Sequence, residues 1–410
     1  MSNTLLNIST ITKETLMELK NQLSFSGAVN RQYDEKFAVS GAKVGTVINI
    51  RKPVRFTVTD GPALEIQNIA DQSVALTLDS QKHVGFQFSS KDLTLSIDEF
   101  KERYLKPAVT ALANKIDYDG TGQYLNVFNS VGTPGTAPTT LALPLAAGVF
   151  MDESGAPVDD MRSLVLPSVL QSDFVTAGLT LYNDQAEVSK QYKRGKMGVA
   201  AGFNWKMDQN MRTHSTGAVD GAPQVKTTIS VQGATTIAID TITTATITGA
   251  YKAGDTFTIG SVFAVNPQSK QSTGRLMQFV VTADANAATN EVAALSFTPA
   301  IYSTGQYQNV DSLPQDNALV KTFNVASSAA SSKVSPTGLA FHRDAFVLGM
   351  ADLELPGGVD MAARASDPDA GLSIRIVRNY DINNDVFPCR LDVLYGWKTI
   401  YPELACRVQR

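Results

Sequence analysis

One apolar stripe constrains this chain more than any other feature. Ile97, Phe100, Tyr104, Leu105, Ala108, Leu112 and Ile116 recur at helical spacing. Ser96 and Glu99 stand just ahead of the main run as a capping box, in which each side chain accepts the other's free backbone amide. Pro107 predicts a bend, because proline removes one backbone donor from a helix. Asp119-Gly120 and Gly122 predict a break, after which Tyr124-Leu125-Asn126-Val127-Phe128 resumes the pattern. The flanking sequence has a period of two instead. Val44, Ile48 and Ile50 share a face, continued after Pro53 by Val54, Phe56 and Val58. Val74, Leu76 and Leu78 form a returning strand, and Val84, Phe86 and Phe88 a third. The first two make a long hairpin whose broad tip is punctuated by Asp60-Gly61-Pro62. Near the far end Leu372, Ile374 and Ile376, then Leu391, Val393 and Tyr395 after Pro388, alternate in the same way. A long amphipathic helix set among such strands makes the chain α+β.

The remaining segments fill in around this frame. Residues 12–23 read as a short helix with Leu16, Leu19 and Leu23 on one side and Thr12 as its cap. From there to Phe37 periodicity fades, as in an arm that docks on something else. Gly132 to Thr140 is a loop, Leu164-Val165-Leu166-Pro167 a short strand, and Asp184 to Lys190 a helix. Gly198 to Phe203, apolar and glycine-rich, is expected to be closely packed. Composition shifts at Gln224. To about Phe297 the chain is rich in Thr, Val, Ile and Gly and poor in Lys and Arg, with strand-like runs at Thr228–Val231, Thr256–Ile259, Val262–Val265, Phe279–Thr282 and Ala294–Phe297. Gly254-Asp255 and Asn266-Pro267 mark turns. This is a small all-β barrel or sandwich set inside a host domain. Ser327–Lys333 is its exit linker, and Pro336 to Met350 reads as an apolar segment followed by a helix.

Chemistry is sparse. The three histidines, His83, His214 and His342, show no metal-ligand spacing, and no CxxC is present. Asp117-Tyr118-Asp119-Gly120 lacks the further ligands of a calcium loop and reads as a helix break. Gly254 to Gly260 has no following Lys-Ser/Thr, so it is no phosphate loop, and no Gly-x-Ser-x-Gly elbow occurs. Cys389 and Cys406 read as buried small hydrophobes of a reduced compartment. No catalytic residue, metal or cofactor is assigned. A net charge of −4 argues against a general nucleic-acid binder. The N-terminal residues lack a signal-peptide pattern, and no run is apolar enough to cross a membrane. Two polar clusters remain. Arg51, Lys52, Arg55 and Glu65 lie in the hairpin tip region and suit a solvated or partner-facing loop, whereas Lys190, Lys193, Arg194 and Lys196, the densest basic run, suit a solvated helix face or an acidic partner.

In this order the elements resemble the major capsid proteins of tailed bacteriophages. Phe88 to Leu95, Phe100 to Ala108 and Ala113 to Asp117 are similar to the entry into the spine helix of coat proteins from short-tailed phages. Ala253 to Ile259 with Ala264 to Pro267 resembles their insertion domain, Leu339 to Phe346 the return to the axial domain, and Ser373 to Arg375, Tyr380-Asp381 and Arg390 to Gly396 the closing strands. The resemblance implies an N-terminal arm over 1–36, an extended loop and the start of the peripheral domain over 37–90, and the spine helix over 91–135. It further implies a first axial part over 136–221, an inserted β-barrel over 222–326, a second axial part over 327–370 and closing strands over 371–410. It also implies a virion subunit without enzymatic activity, made in a host bacterial cytoplasm. Such subunits form pentamers and hexamers around a scaffolding protein, meet a portal protein and enclose double-stranded DNA without sequence preference in a shell that expands on packaging. The hairpin cluster would touch neighbouring subunits, and the Lys190 cluster packaged DNA or an acidic partner. The alternative is a tail, decoration or carbohydrate-binding structural protein.

Overall fold

The computed structural model describes residues 8–31, 47–56, 58, 61–62, 66, 72–89, 105–178, 198–322, 332–367 and 371–410. The chain divides into two compact units. One draws on residues up to 52, 73–120 and 346–400, the other on 53–72, 121–345 and 401–410. Among the described residues no helix is long and apolar enough to cross a membrane.

The first unit is built on a five-stranded sheet. Phe346–Met350, Val386–Thr399, Leu372–Arg378 and Met361–Asp367 lie side by side, and Ser80–Ser89 joins the Val386–Thr399 strand along its length, from Ser89↔Val386 to Ser80↔Tyr395. The alternation of Leu391, Val393 and Tyr395 buries these side chains. Val47–Lys52 and Gln72–Thr77 form a separate two-stranded sheet with Ile50 and Leu76 buried. The strand does not continue past Pro53, and Phe56 and Val58 are exposed.

The helix Lys106–Thr121 buries Ala108, Val109, Leu112, Ala113 and Ile116, as the stripe requires. Its expected upstream part, Ser96 to Tyr104, lies outside the described residues. Pro107 is the second residue of the described helix, and the turn before it, on which a bend would show, lies outside the described residues. One expectation is corrected here. Asp119-Gly120 does not break the helix. Gly120 is there because Trp397 lies against it, and a Cβ would stand 2.4 Å from the indole Cζ2. A one-turn 3-10 helix, Gly122–Asn126, follows.

The N-terminal helix Ile8–Gln22 places Leu16 and Leu19 in the core of this unit, with Leu23 just beyond it. The next residues, up to Arg31, pack against the same unit. Phe25 meets Phe346 and Trp397 at ring distances of 5.8 and 5.6 Å. The Asn30 amide donates to Phe346 O, and the Leu348 amide to Asn30 O. Asp117 collects the amides of Ser24 (2.8 Å), Phe25 (3.3 Å) and Ser26 (2.9 Å), together with the Ser26 hydroxyl.

The second unit holds a seven-stranded mixed sheet in the order Ser130–Val131, Ala405–Gln409, Val334–His342, Arg162–Leu166, Phe203–Met207 and Val199–Ala200, with Thr213–Ser215 also on Val334–His342. One face packs Leu164, Leu166, Ala340, Cys406 and Val408 under the helices Ala142–Glu153 and Ser168–Gly178 through Ala147, Met151, Leu170 and Phe174. No helix occurs in 336–350. A strand runs to His342, one 3-10 turn covers Arg343–Ala345, and Phe346–Met350 begins the next strand. The strand Val334–His342 is buried on both faces along most of its length, which hides its period. Val199 is exposed, contrary to the expected close packing, while Phe203 is buried.

The Thr-rich stretch folds around a six-stranded sheet in the order Val320–Thr322, Thr256–Val265, Ser272–Val281, Val292–Ile301, Ala234–Asp240 and Gln224–Val225, with Thr246–Tyr251 and Ala285–Ala288 paired separately. The two ends join through Val225 N to Ala318 O (2.9 Å) and Val320 N to Pro223 O (2.8 Å), which closes a barrel. Phe257, Phe279 and Phe297 fill it. Thr228–Val231 is not a strand. The two expected runs from Thr256 to Val265 are one strand, its register broken near Ser261, whose φ is +62°.

Candidate functional site

The C-terminal strand Ala405–Gln409 sends alternate residues to opposite faces of its sheet. Cys406 and Val408 enter the apolar core, whereas Arg407 and Gln409 are buried on the other side, toward the barrel. Arg407 Nη1 donates to Gly254 O at 2.5 Å, and its guanidinium stands 5.8 Å from the centre of the Tyr124 ring. Burial pulls its pKa down to about 10. The Tyr124 hydroxyl lies 3.2 Å from His214 Nδ1, and His214 Nε2 lies 2.9 Å from Asp255 Oδ1. In the tautomer whose Nε2–H donates to the carboxylate, Nδ1 is left to accept the tyrosine hydroxyl. Asp255 Oδ2 accepts the amides of Gly217 (2.9 Å) and Lys252 (2.8 Å). Nearby, Ser130 and Gln278 exchange hydrogen bonds, Ser130 N to Oε1 at 2.6 Å and Nε2 to Ser130 O at 3.0 Å.

Four distant segments thus meet in one buried polar cluster: the turn after the long helix, the Thr213–Ser215 strand, the start of the first long barrel strand and the C-terminal strand. The Asp–His–Tyr order resembles a proton relay in composition only. The space beside it, lined by Pro134, His214, Thr216, Asp255, Thr256, Thr322 and Gln409, is water-sized and leaves no room for a substrate. Its role is to hold the barrel to the sheet. Sequence reasoning treated His214 as an ordinary histidine and passed over Arg407. An arginine amid the apolar Ala405, Cys406 and Val408 was the one available signal.

The other sequence-derived residues lie elsewhere. Arg51 is exposed on Val47–Lys52, with Lys52 at the end of that strand. Arg55 pairs with Glu403 of its own chain at 3.1 Å. On the connection that follows the strand, Phe56, Val58 and Ile66 are 64, 96 and 84% exposed. Glu65 and the Lys190, Lys193, Arg194 and Lys196 cluster lie outside the described residues. His83 is exposed, and His342 faces Asp159 at 3.2 Å. Asp119, part of the rejected calcium loop, binds Lys115 and the Tyr395 hydroxyl. Both cysteines are buried and unpaired, and burial raises both thiols, Cys389 to about 11. Among the described residues no group of three His, Cys, Asp or Glu side chains could hold a metal ion.

A family model described as P22 coat protein, gene protein 5, matches residues 2–408. Among curated proteins none matches the chain. Solved structures similar to it include one from Mycobacterium phage Che8, at 14% identity over 94% of this chain and 90% of that one, with a TM-score of 0.49. Others are the capsid of Cyanophage P-SCSP1u, at 12% identity, 89% and 83% coverage and a TM-score of 0.44, and a virus-like particle from Pyrococcus furiosus, at 9%, 97% and 97%, and 0.39. With its family matched from end to end, the chain belongs to the P22 coat protein family and is a major capsid protein, a structural subunit of an icosahedral phage shell.

Proposed function

We propose that the subunits assemble as pentamers and hexamers around a scaffolding protein, in the cytoplasm of a host bacterium. The precursor shell joins a portal protein, takes in double-stranded DNA without sequence preference and expands as it fills. In this reading residues 1–36 are the N-terminal arm, 37–90 the extended loop and the start of the peripheral domain, and 91–135 the spine helix. Residues 136–221 and 327–370 form the axial domain, 222–326 an inserted barrel and 371–410 the closing strands. Lys190, Lys193, Arg194 and Lys196 meet DNA or an acidic partner.

The observation that carries the proposal is the connection between the strands Val47–Lys52 and Gln72–Thr77. Phe56, Val58 and Ile66 are all uncovered on it, and the basic Arg51 is exposed on the strand that precedes it in sequence. Single exposed apolar residues are ordinary, but three on one connection, with charges to fix register, mark a surface that a neighbour covers. Repetition over a closed shell makes such modest contacts strong together. Arg55, already paired with Glu403, and Glu65 complete the contact set.

Charge reversal tests this reading. Arg51→Asp combined with Lys52→Asp is expected to abolish shells in electron micrographs while the thermal melt of the free subunit stays unchanged, and Arg55→Asp to do so less cleanly. Undiminished shell yield would remove the hairpin from assembly. The inserted barrel has its own test, a fragment spanning 222–326. A cooperative melt with a β-type circular dichroism spectrum is expected, and a random-coil spectrum would refute the partition.

A further inference from the structure

We propose that the seam between the C-terminal strand and the barrel is a releasable joint, made so by the buried charge of Arg407, which lets the barrel undock as a body while both packed cores persist. On the sheet side the seam presents Ser130, Arg407 and Gln409, all buried. On the barrel side it presents Gly254, Asp255, Gln278 and Thr322. The two apolar clusters on either side share no residue. What joins them is mostly polar: Arg407 to Gly254, Ser130 with Gln278, His214 and the Gly217 amide to Asp255, and at the rim Asn266 and Arg275 to Glu153, with Phe128 as the apolar residue that reaches from the sheet side into the barrel's cluster.

The same seam holds polar atoms that are buried and have no hydrogen-bond partner among the described residues: Ser130 Oγ and, above all, Arg407 Nε and Nη2. Buried polar groups without partners raise the free energy of the closed state, and a guanidinium does so most. On opening, each of these atoms reaches water, while the sheet's apolar cluster stays packed and the barrel's gives up Phe128. The seam therefore opens at lower free energy than either core, as a sub-global event. Its use in the shell rests on the proposed expansion, during which a barrel held by neighbours could keep its contacts as the sheet below it shifts. The existence of the joint does not depend on that reading.

The test is amide hydrogen exchange on the full-length free subunit, below its assembly concentration, so that failure of the joint and failure of the expansion reading are separable. The Ser130 and Gly217 amides, which bond to Gln278 Oε1 and Asp255 Oδ2, report on the seam. They are expected to exchange at least tenfold faster than the amides of Ser272–Val281 in the barrel and Arg162–Leu166 in the sheet. Equal rates overturn the proposal. In Arg407→Met, which keeps the volume and removes the charge, exchange at Ser130 and Gly217 is expected to slow at least tenfold, and unchanged or faster exchange overturns the role given to the charge. If that variant does not fold, the wild-type comparison decides alone.

Discussion

Replacing Asp117 by alanine should unfasten the N-terminal segment from the long helix. The carboxylate is buried and accepts the amides of Ser24 and Ser26 at 2.8 and 2.9 Å, with a longer bond from the Phe25 amide and one from the Ser26 hydroxyl. The hydroxyl can rotate to another acceptor, and the Phe25 bond is weak, so the two short amide bonds set the magnitude. Hydrogen bonds to a charged acceptor contribute about 1.5–3 kcal/mol each, and orphaned buried donors cost a similar amount. Water reaches the Ser24 side, which is only part-buried, so the expected loss is about 3–4 kcal/mol. Asp117→Asn keeps one acceptor oxygen and should lose about half as much. Trp397, stacked 5.6 Å from Phe25, is the natural probe. In a Trp205→Phe background its fluorescence isolates the affected region during urea unfolding, and the shift in midpoint at constant slope gives the change in stability. A midpoint unchanged within about 0.5 kcal/mol would show that the carboxylate does not secure this turn.

Three further outcomes follow from the buried groups. Leu112→Asp places a carboxylate at a position 2% exposed on the helix stripe and should leave no soluble, cooperatively melting subunit, since desolvation costs several kcal/mol out of about 5–15. Asp392→Asn strips a fully buried carboxylate from Arg375, which holds it at 2.7 Å, and from Arg390 at 2.5 Å. It should cost about 3–5 kcal/mol in a denaturant melt. The native thiols should stay unreactive toward a disulfide reagent at pH 8 and react fully in denaturant. With both folded thiols raised, Cys389 to about 11, the unfolded chain ionises first as pH climbs past about 9, so stability should fall from there upward, and a melt flat across that window would contradict the burial.

How much of this was legible depended on whether one face of an element meets something different from the other. Leu372, Ile374 and Ile376 alternate with the polar Ser373, buried but bonded to Asp352, and the half-buried Arg375, and Ala108, Leu112 and Ile116 repeat because the far side of their helix is wet. Val334–His342 was misread as entering a helix because it is covered on both sides and carries no period. In the barrel, the register break near Ser261 divided one strand into two apparent runs, and Ala234–Asp240 was missed beside the misplaced Thr228–Val231. Asp119-Gly120 looked like a break because a glycine's local meaning was all the sequence offered, while Trp397 explains it from 277 residues away. The polar cluster was least legible. His214 and Asp255 are 41 residues apart and Gly254 and Arg407 are 153 apart, so no local pattern could join them.

The strand Val386–Thr399 has a consequence for synthesis. Its partner Ser80–Ser89 leaves the ribosome nearly 300 residues earlier, and the two pair along ten positions. At roughly 5–20 residues per second the earlier strand waits about 15–60 s with its edge bare. The barrel, whose strands all lie between Gln224 and Thr322, can close during that wait, because its partners are near in sequence. The first unit therefore begins first on the ribosome and is completed well after the barrel. For that interval its alternating Val84, Phe86 and Phe88 form the stretch of the nascent chain most exposed to mispairing with other chains, and the place where a chaperone has most to cover.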